Sequence, residues 1–231
     1  MPPESSNTPF AFSDPEFVAQ YVEGPPRFVP GFADLHRMSA ILLAESAPQA
    51  ARILVLGAGG GLELKAFAER HPNWEFDGID PASEMLQLAR KTLGPLESQV
   101  RLHTGYIDDA PEGPFDGATC LLTLHFLDSE ERRRTLAEVR RRLKRGAPFV
   151  TVHASLPHGD DERARWLARY AAFAKSSGVD SEQAETARRG VQSGVTILAP
   201  EQDEAMLRGV GFSNVGLFYA GFVLRGWVAY A

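Results

Sequence analysis

The chain has 231 residues, of which 44% are hydrophobic and 23% charged, so it can bury a sizeable core. Its net charge of −6 gives no general attraction to nucleic acid or anionic membranes, and no apolar run approaches the roughly 18 residues of a membrane span. The single cysteine, Cys120, excludes a disulfide framework, so we expect a reducing compartment, most simply the cytoplasm.

Three parts follow one another along the chain. Residues 1–9 are polar and rich in proline, which predicts a disordered tail. Residues 10–49 carry apolar side chains at mostly helical spacing and predict a helical extension, which either packs on a sheet or acts as a lid over a ligand. Residues 50–231 alternate short β-branched or aromatic runs with helical segments, the pattern of βαβ units, and include a helical insertion at 156–199.

The individual elements of residues 50–231 can be assigned in chain order. Strands are predicted at Arg52 to Leu56, Trp74 to Ile79, Val100 to Thr104, Phe115 to Leu121, Pro148 to His153, Asn214 to Tyr219 and Phe222 to Tyr230. Helices are predicted at Gly61 to Arg70, Ser83 to Leu93, Ser129 to Leu143, Asp160 to Ser177, Ser181 to Gln192 and Pro200 to Val210. The last two strands have no room for a crossover helix and should pair antiparallel. The fold class is therefore α/β, a Rossmann-like, seven-stranded, mainly parallel sheet with a C-terminal antiparallel hairpin and an N-terminal helical lid.

A glycine-rich loop follows the first predicted strand. Its sequence is Gly57-Ala58-Gly59-Gly60-Gly61, and a helix begins directly after it, so bare backbone can approach a ligand. A dinucleotide fingerprint needs glycine or alanine five residues after its first glycine, but Leu62 and Leu64 occupy those positions. The loop favours a different nucleotide-containing ligand, and a turn that binds nothing is the alternative.

Two further segments would complete such a site. The second strand ends at Asp80, roughly the 20 residues beyond a glycine loop at which nucleotide folds hold a carboxylate for ribose hydroxyls. Asp80-Pro81 is also a common turn initiator. After the third strand, Tyr106 and Ile107 stand where an adenine ring would lie, and they could sandwich it together with Met85.

These ordered segments resemble a known superfamily. Leu54 to Gly61, Gly78 to Leu86 and Phe115 to Leu127 resemble the class I methyltransferases that depend on S-adenosylmethionine (SAM). Closer similarity, to the carboxy-SAM synthases that serve wobble-uridine modification in tRNA, is carried by Val29-Pro30-Gly31-Phe32, Leu122 to Leu127 and the tail from Arg188 to Phe212. This second resemblance implies that Phe32 covers the cofactor and that Arg189 reaches it from a partner subunit of a homodimer, with residues 160–192 as the contacting arm.

The chain departs from that branch at three positions, because Val55, Tyr106 and Leu121 stand where the branch has an acidic residue, an aspartate and an asparagine. The resemblance therefore predicts a SAM-dependent methyltransferase acting on an unidentified small molecule. A carboxy-SAM synthase-like enzyme linked to tRNA modification and a non-catalytic SAM-binding protein are the alternatives. We expect SAM, or its carboxylated form, to contact Phe32, Gly57, Ala58, Gly59, Gly61, Asp80, Pro81, Met85, Tyr106, Ile107, Leu121 and Arg189.

Methyl transfer requires alignment more than covalent help. If the acceptor must lose a proton, Tyr21, His125 and His153 are the candidate bases. The sequence has no cluster of metal ligands at the usual spacing, so no metal is expected. The helix Ser129 to Leu143 is rich in arginine, but Glu130 to Arg134 and Glu138 to Arg142 have the spacing of surface ion pairs, so nucleic acid is not an expected partner.

Overall fold

The computed structural model describes Phe12, Asp14, Val18 and residues 21–231. The tail predicted at residues 1–9 lies outside these described residues. None of the described helices is both long and apolar enough to cross a lipid bilayer.

Seven strands form one sheet. They are β1 (Arg52–Leu56), β2 (Glu75–Asp80), β3 (Val100–Thr104), β4 (Gly117–Leu121), β5 (Pro148–Ala154), β6 (Ser213–Gly221) and β7 (Leu224–Tyr230). Their order across the sheet is β3-β2-β1-β4-β5-β7-β6, and β7 runs antiparallel to both of its neighbours while the other pairings are parallel. The predicted fold class and C-terminal hairpin are confirmed.

The helices of the described residues follow the predicted order. They are α1 (Gly24–Phe28), α2 (Phe32–Ala44), α3 (Leu62–Arg70), α4 (Ser83–Leu93), α5 (Ser129–Arg142), α6 (Asp160–Ser176), α7 (Ser181–Ser193) and α8 (Pro200–Gly209). Aspartate side chains cap two of them: Asp128 accepts from the first-turn N–H groups of α5, and Asp180 does the same for α7.

Alternation along the strands produces two cores, one on each face of the sheet. Ile53 and Val55 of β1 belong to a cluster that includes side chains of α2, α3, α4 and α6, whereas Leu54 and Leu56 belong to a second cluster with α5 and α8. The sheet is therefore covered on both faces, as expected for parallel strands. Its carboxyl-terminal edge remains available for a ligand.

The N-terminal extension packs on the first of these cores. Leu35, Ala40 and Leu43 of α2 are buried there, and the hydroxyl of Tyr219 on β6 donates to the carbonyl of Pro30 at 2.8 Å. Packing on the sheet does not exclude a second role, because Phe32 at the start of α2 also lies on the wall of a cavity. The extension therefore packs on the sheet, and its action as a lid over a ligand stays a prediction.

Candidate functional site

A cavity of about 800 Å³ opens at the carboxyl-terminal ends of β1, β2 and β4. The strand order reverses between β1 and β4, and ligands of open α/β sheets bind at such a switch point. Most residues expected to contact a cofactor line this cavity, namely Phe32, Gly57, Ala58, Gly59, Asp80, Pro81, Met85, Tyr106, Ile107 and Leu121. The fold thus assembles residues that are up to 89 positions apart, from Phe32 to Leu121.

The glycine loop needs its glycines for two different reasons. Gly57 has a φ of +77°, and a Cβ there would overlap the side chain of Thr123. A glycine at this position therefore lets the backbone of the glycine loop lie directly against Thr123. Gly61, with a φ of +80°, is absent from the cavity wall, and a Cβ on it would lie 2.8 Å from the Cα of Ala89. Gly61 therefore permits the close packing of α3 against α4, and its predicted contact with the cofactor stays a prediction.

Asp80 is fixed by backbone groups on both sides. Its Oδ2 accepts from the Gly59 N–H and its Oδ1 accepts from the Ala82 N–H, each at 2.9 Å. Burial raises the pKa of this carboxyl, and the two hydrogen bonds oppose that rise. Each oxygen keeps acceptor capacity for a further donor such as a hydroxyl. The two Asp80 oxygens therefore form a fixed pair of acceptors beside the glycine loop, an arrangement that can bind two adjacent hydroxyl groups.

An apolar slot lies next to Asp80. Ile107 and Met85 are each 1% exposed, whereas Tyr106 is 43% exposed and lies at the rim. The Tyr106 N–H donates to Asp109 Oδ2 at 3.0 Å and fixes the start of the short 3₁₀ turn Ile107–Asp109. The three side chains proposed around a planar ring are therefore on one part of the wall.

Glu63 is a cavity residue that the sequence analysis missed. It belongs to the first turn of α3, is only 6% exposed and accepts a short hydrogen bond from the Thr119 hydroxyl on β4. Burial raises its pKa to about 8, against the opposing effect of that hydrogen bond. An acidic residue in the first helical turn after a glycine loop is the sequence signal that could have revealed it.

Tyr21 lies over the glycine loop. A Cβ at Gly60 would lie 2.9 Å from Tyr21 Cδ1, so the ring and the loop are in contact. Burial, together with the charges of Asp80 and Glu63, raises the pKa of Tyr21 to about 12. The phenol consequently stays protonated at neutral pH and can donate a hydrogen bond, and its role as a base stays a prediction.

The two histidines expected as bases are away from the cavity wall. His125 accepts from the Ala154 N–H at 3.3 Å, and burial lowers its pKa to about 3. His153 Nε2 lies 3.1 Å from Asp203 Oδ1, and the same oxygen accepts from Arg132 at 2.9 Å. These contacts place the two histidines in a polar cluster with Arg132 and Asp203 that joins β5, α5 and α8, and a role as base stays a prediction for both.

Arg189 also lies outside the cavity of the single chain. It is on α7, its side chain is 63% exposed, and its Nε is 4.0 Å from Glu185. Its predicted contact would require a partner subunit and stays a prediction. Among the described residues no group of three or more His, Cys, Asp or Glu side chains could hold a metal ion.

The arginine-rich helix α5 is largely neutralised by acidic neighbours. Glu138 pairs with Arg142 as the spacing predicted, and it also binds Arg141 at 3.0 Å. The other predicted ion pair, between Glu130 and Arg134, is wrong, because Arg134 binds Asp108 at 2.6 Å instead. This pairing leaves less free positive charge than the sequence of the helix suggests.

Comparison with known proteins identifies the domain. Residues 53–146 match the family model of a methyltransferase domain. The chain is also similar to carboxy-S-adenosyl-L-methionine synthases, at 25% identity to that of Chromohalobacter salexigens, covering 91% of this chain and 79% of the relative. The corresponding enzyme of Actinobacillus succinogenes is 24% identical and covers 85% and 83% of the two chains. The match places a methyltransferase domain at residues 53–146.

Solved methyltransferase-fold structures agree with that assignment at the level of fold. The pyocyanin biosynthetic protein PhzM is 16% identical with a TM-score of 0.69, covering 96% of this chain and 60% of its own. Human N-acetylserotonin methyltransferase, solved with SAM, is 16% identical with a TM-score of 0.59, covering 94% and 59%. The chain thus spans about three fifths of these two structures. The predicted methyltransferase class agrees with the family model that matches residues 53–146, and these structures support the predicted fold.

Proposed function

We propose that the chain transfers the methyl group of SAM to a small-molecule acceptor. The observation that carries this proposal is the arrangement of Asp80 against the glycine loop at the switch point of the sheet, with Met85, Tyr106 and Ile107 beside it. SAM supplies a methyl group that its sulfonium has already activated. The task left to the protein is to bind and orient, and orientation alone can contribute roughly 7–11 kcal/mol to catalysis.

The residues of the wall divide this task between them. Asp80 would accept hydrogen bonds from the ribose, Tyr106 and Ile107 would enclose the adenine, and Phe32 would cover the cofactor. The volume of about 800 Å³ is in the upper part of the range of roughly 300–1,000 Å³ for small-molecule sites, which leaves room for an acceptor beside the cofactor.

An aromatic cluster suggests the chemistry of the acceptor. The rings of Phe12 and Phe126 meet edge to face at 5.8 Å, and Phe12 and Tyr21 do so at 6.2 Å. All three line the cavity, and Leu127 adds a further apolar surface. We propose a small acceptor with an apolar or aromatic body, because desolvation of such a body stabilises the complex.

Calorimetry tests the binding part of the proposal. SAM and S-adenosylhomocysteine should both bind the full chain. If neither ligand produces a binding heat at millimolar concentration, the proposal is contradicted. Turnover is then measured as S-adenosylhomocysteine formed in the presence of a panel of phenols, amines and thiols. Accumulation with any acceptor supports catalysis, whereas binding without turnover across the panel supports the non-catalytic SAM-binding protein.

A carboxy-SAM synthase-like activity is the second candidate, supported by the similarity to those enzymes over 79–83% of their length in the two relatives described above. The wall of the cavity argues against it. The described wall carries the acidic residues Glu63, Asp80, Asp108, Asp109 and Glu131, and its one arginine, Arg134, is paired with Asp108. Residues 1–20 contain no lysine or arginine. A bound carboxylate group would need a cation from elsewhere.

Mass spectrometry of ligand carried through purification separates the two candidates. The carboxylated cofactor is heavier than SAM, and its presence would favour the second activity. Loss of that ligand in Arg189→Ala, with SAM binding retained, would further support the homodimer in which Arg189 reaches a partner's site. Size-exclusion chromatography with light scattering tests the homodimer independently.

A further inference from the structure

The carboxyl of Glu63 is buried, and none of the described residues places a positive charge beside it. The described residues place no lysine, arginine or histidine within ion-pair distance of its carboxyl, and Thr119 is the hydrogen-bond partner that affects its pKa. A buried carboxyl is costly to ionise unless a cation or several donors compensate it. A cationic ligand in the cavity that Glu63 lines would provide that compensation.

The other titratable groups near this carboxyl do not provide it. Tyr21 and Cys120 are neutral groups whose pKa values are raised in part by the charge of Glu63, and Asp80 is itself acidic. His36 of α2 lines the same cavity, but burial lowers its pKa to about 4, so it is neutral at pH 7. A positive charge beside an ionised Glu63 would therefore come from the ligand.

The sheet order indicates which part of the ligand this is. Tyr106 follows β3, Asp80 ends β2, the glycine loop follows β1, and Thr119, the partner of Glu63, is on β4. These four strands are consecutive neighbours, spaced roughly 4.8 Å apart. A ligand with its adenine near Tyr106 and its ribose on Asp80 therefore extends its amino-acid end across β1 toward Glu63.

We propose that Glu63 binds the α-ammonium group of the cofactor, a role that rests on the proposed SAM binding. Thr119 fixes the carboxyl in position, and Val55, which pairs with Thr119 in the sheet, offers no carboxylate of its own. Binding transfers the proton of the Glu63 carboxyl to solvent, and the carboxylate that remains forms an ion pair with the ammonium. Charge is conserved, since one proton leaves as one ammonium enters.

Calorimetry at pH 7 in two buffers, phosphate and Tris, measures the number of protons released when SAM binds, because the two buffers differ in ionisation enthalpy. The wild-type protein should release close to one proton for each SAM bound, and Glu63→Gln should release none. Glu63→Gln should also bind SAM roughly 10- to 100-fold more weakly, because a charge-assisted hydrogen bond is lost. Equal affinity and equal proton release in the two proteins would overturn the proposal.

Three ligands locate the contact. S-adenosylhomocysteine keeps the ammonium but not the sulfonium charge, so Glu63→Gln should weaken it as much as SAM. 5′-Methylthioadenosine lacks the amino acid, so its affinity should be unchanged, which also shows that the variant is folded. Weakening of SAM alone would assign Glu63 to the sulfonium and overturn the ammonium contact, and equal weakening of all three ligands would overturn it as well. A wild-type protein that binds none of them contradicts the proposed function instead.

Discussion

Replacement of Glu63 by glutamine should stabilise the ligand-free protein at alkaline pH. The carboxyl has an ordinary pKa of 4.5 when exposed and a pKa of about 8 in the folded chain, so the folded state holds its proton more tightly. A raised folded-state pKa means that stability falls as pH rises from 4.5 to 8. Glutamine has no proton to lose, and its amide oxygen can still accept the hydrogen bond from Thr119.

The magnitude follows from the same pKa values. Each unit of difference corresponds to about 1.4 kcal/mol, which sets an upper limit of about 5 kcal/mol above pH 8. We expect Glu63→Gln to be more stable than wild type by about 2–5 kcal/mol at pH 8.5, or roughly 4–20 °C in melting temperature for a chain of this size. At pH 4.5 and below the two proteins should melt within about 2 °C of each other, because the folded-state carboxyl is then protonated and at most half of the unfolded-state carboxyls are ionised.

Thermal melts of the ligand-free protein between pH 4.5 and 9 measure this difference. Glu69→Gln is the matched control, since Glu69 is exposed on the same helix, and its melting curve should follow that of wild type at every pH. A Glu63→Gln protein that is less stable than wild type at pH 8.5 would refute the reasoning. A stability difference that stays constant with pH would refute it too, because it would come from packing and not from ionisation.

Three further substitutions test the site and its support. Asp80→Ala should weaken the binding of SAM roughly 10- to 150-fold in calorimetry, because a hydrogen bond to a charged carboxylate contributes about 1.5–3 kcal/mol; unchanged affinity would exclude the ribose contact. Gly61→Ala should lower stability to urea by about 1–3 kcal/mol more than Gly146→Ala, since the first overlaps the backbone of α4 and the second, at a similar φ, meets nothing within 4 Å; equal losses would argue against that overlap. Arg132→Met should lower the free energy of unfolding by about 3–5 kcal/mol in the same assay, because it removes the arginine that pairs with the buried carboxylate of Asp203. Adding Asp203→Leu to this variant should restore part of the lost stability; no recovery would contradict the pairing.

The sheet could be predicted because its strands are buried and short. β1 and β3 have the expected bounds, and the helix after Asp80 has the predicted bounds Ser83–Leu93. The errors have tertiary causes. Phe115, expected in β4, makes only an isolated bridge with Leu143, and Trp74, expected in β2, instead donates from its indole to the Pro48 carbonyl at 3.2 Å. Local propensity cannot report such contacts.

The meeting of the predicted cofactor residues at one cavity was also accessible to sequence reasoning, because spacing along βαβ units fixes which strand ends meet. The histidines were not accessible in this way. A position at a strand end does not say which face receives the side chain, and His153 points to the face where it meets Trp227, with ring centroids 5.2 Å apart. Glu63 escaped because its significance depends on Thr119, a residue 56 positions away on a neighbouring strand.

The sign of the charge in the cavity links these findings to the choice of cofactor. A cavity lined by the carboxyls of Asp80 and Glu63 favours a ligand that carries net positive charge over one that carries an added carboxylate. SAM has two cationic centres and one carboxylate, whereas its carboxylated form has a second carboxylate. If the methyl group is the group transferred, the demethylated product keeps the ammonium group that Glu63 binds. Glu63 therefore does not distinguish SAM from this product. Discrimination between substrate and product must then arise at the sulfonium, and the part of the wall formed by Phe12, Tyr21 and Phe126 is where the acceptor would meet it.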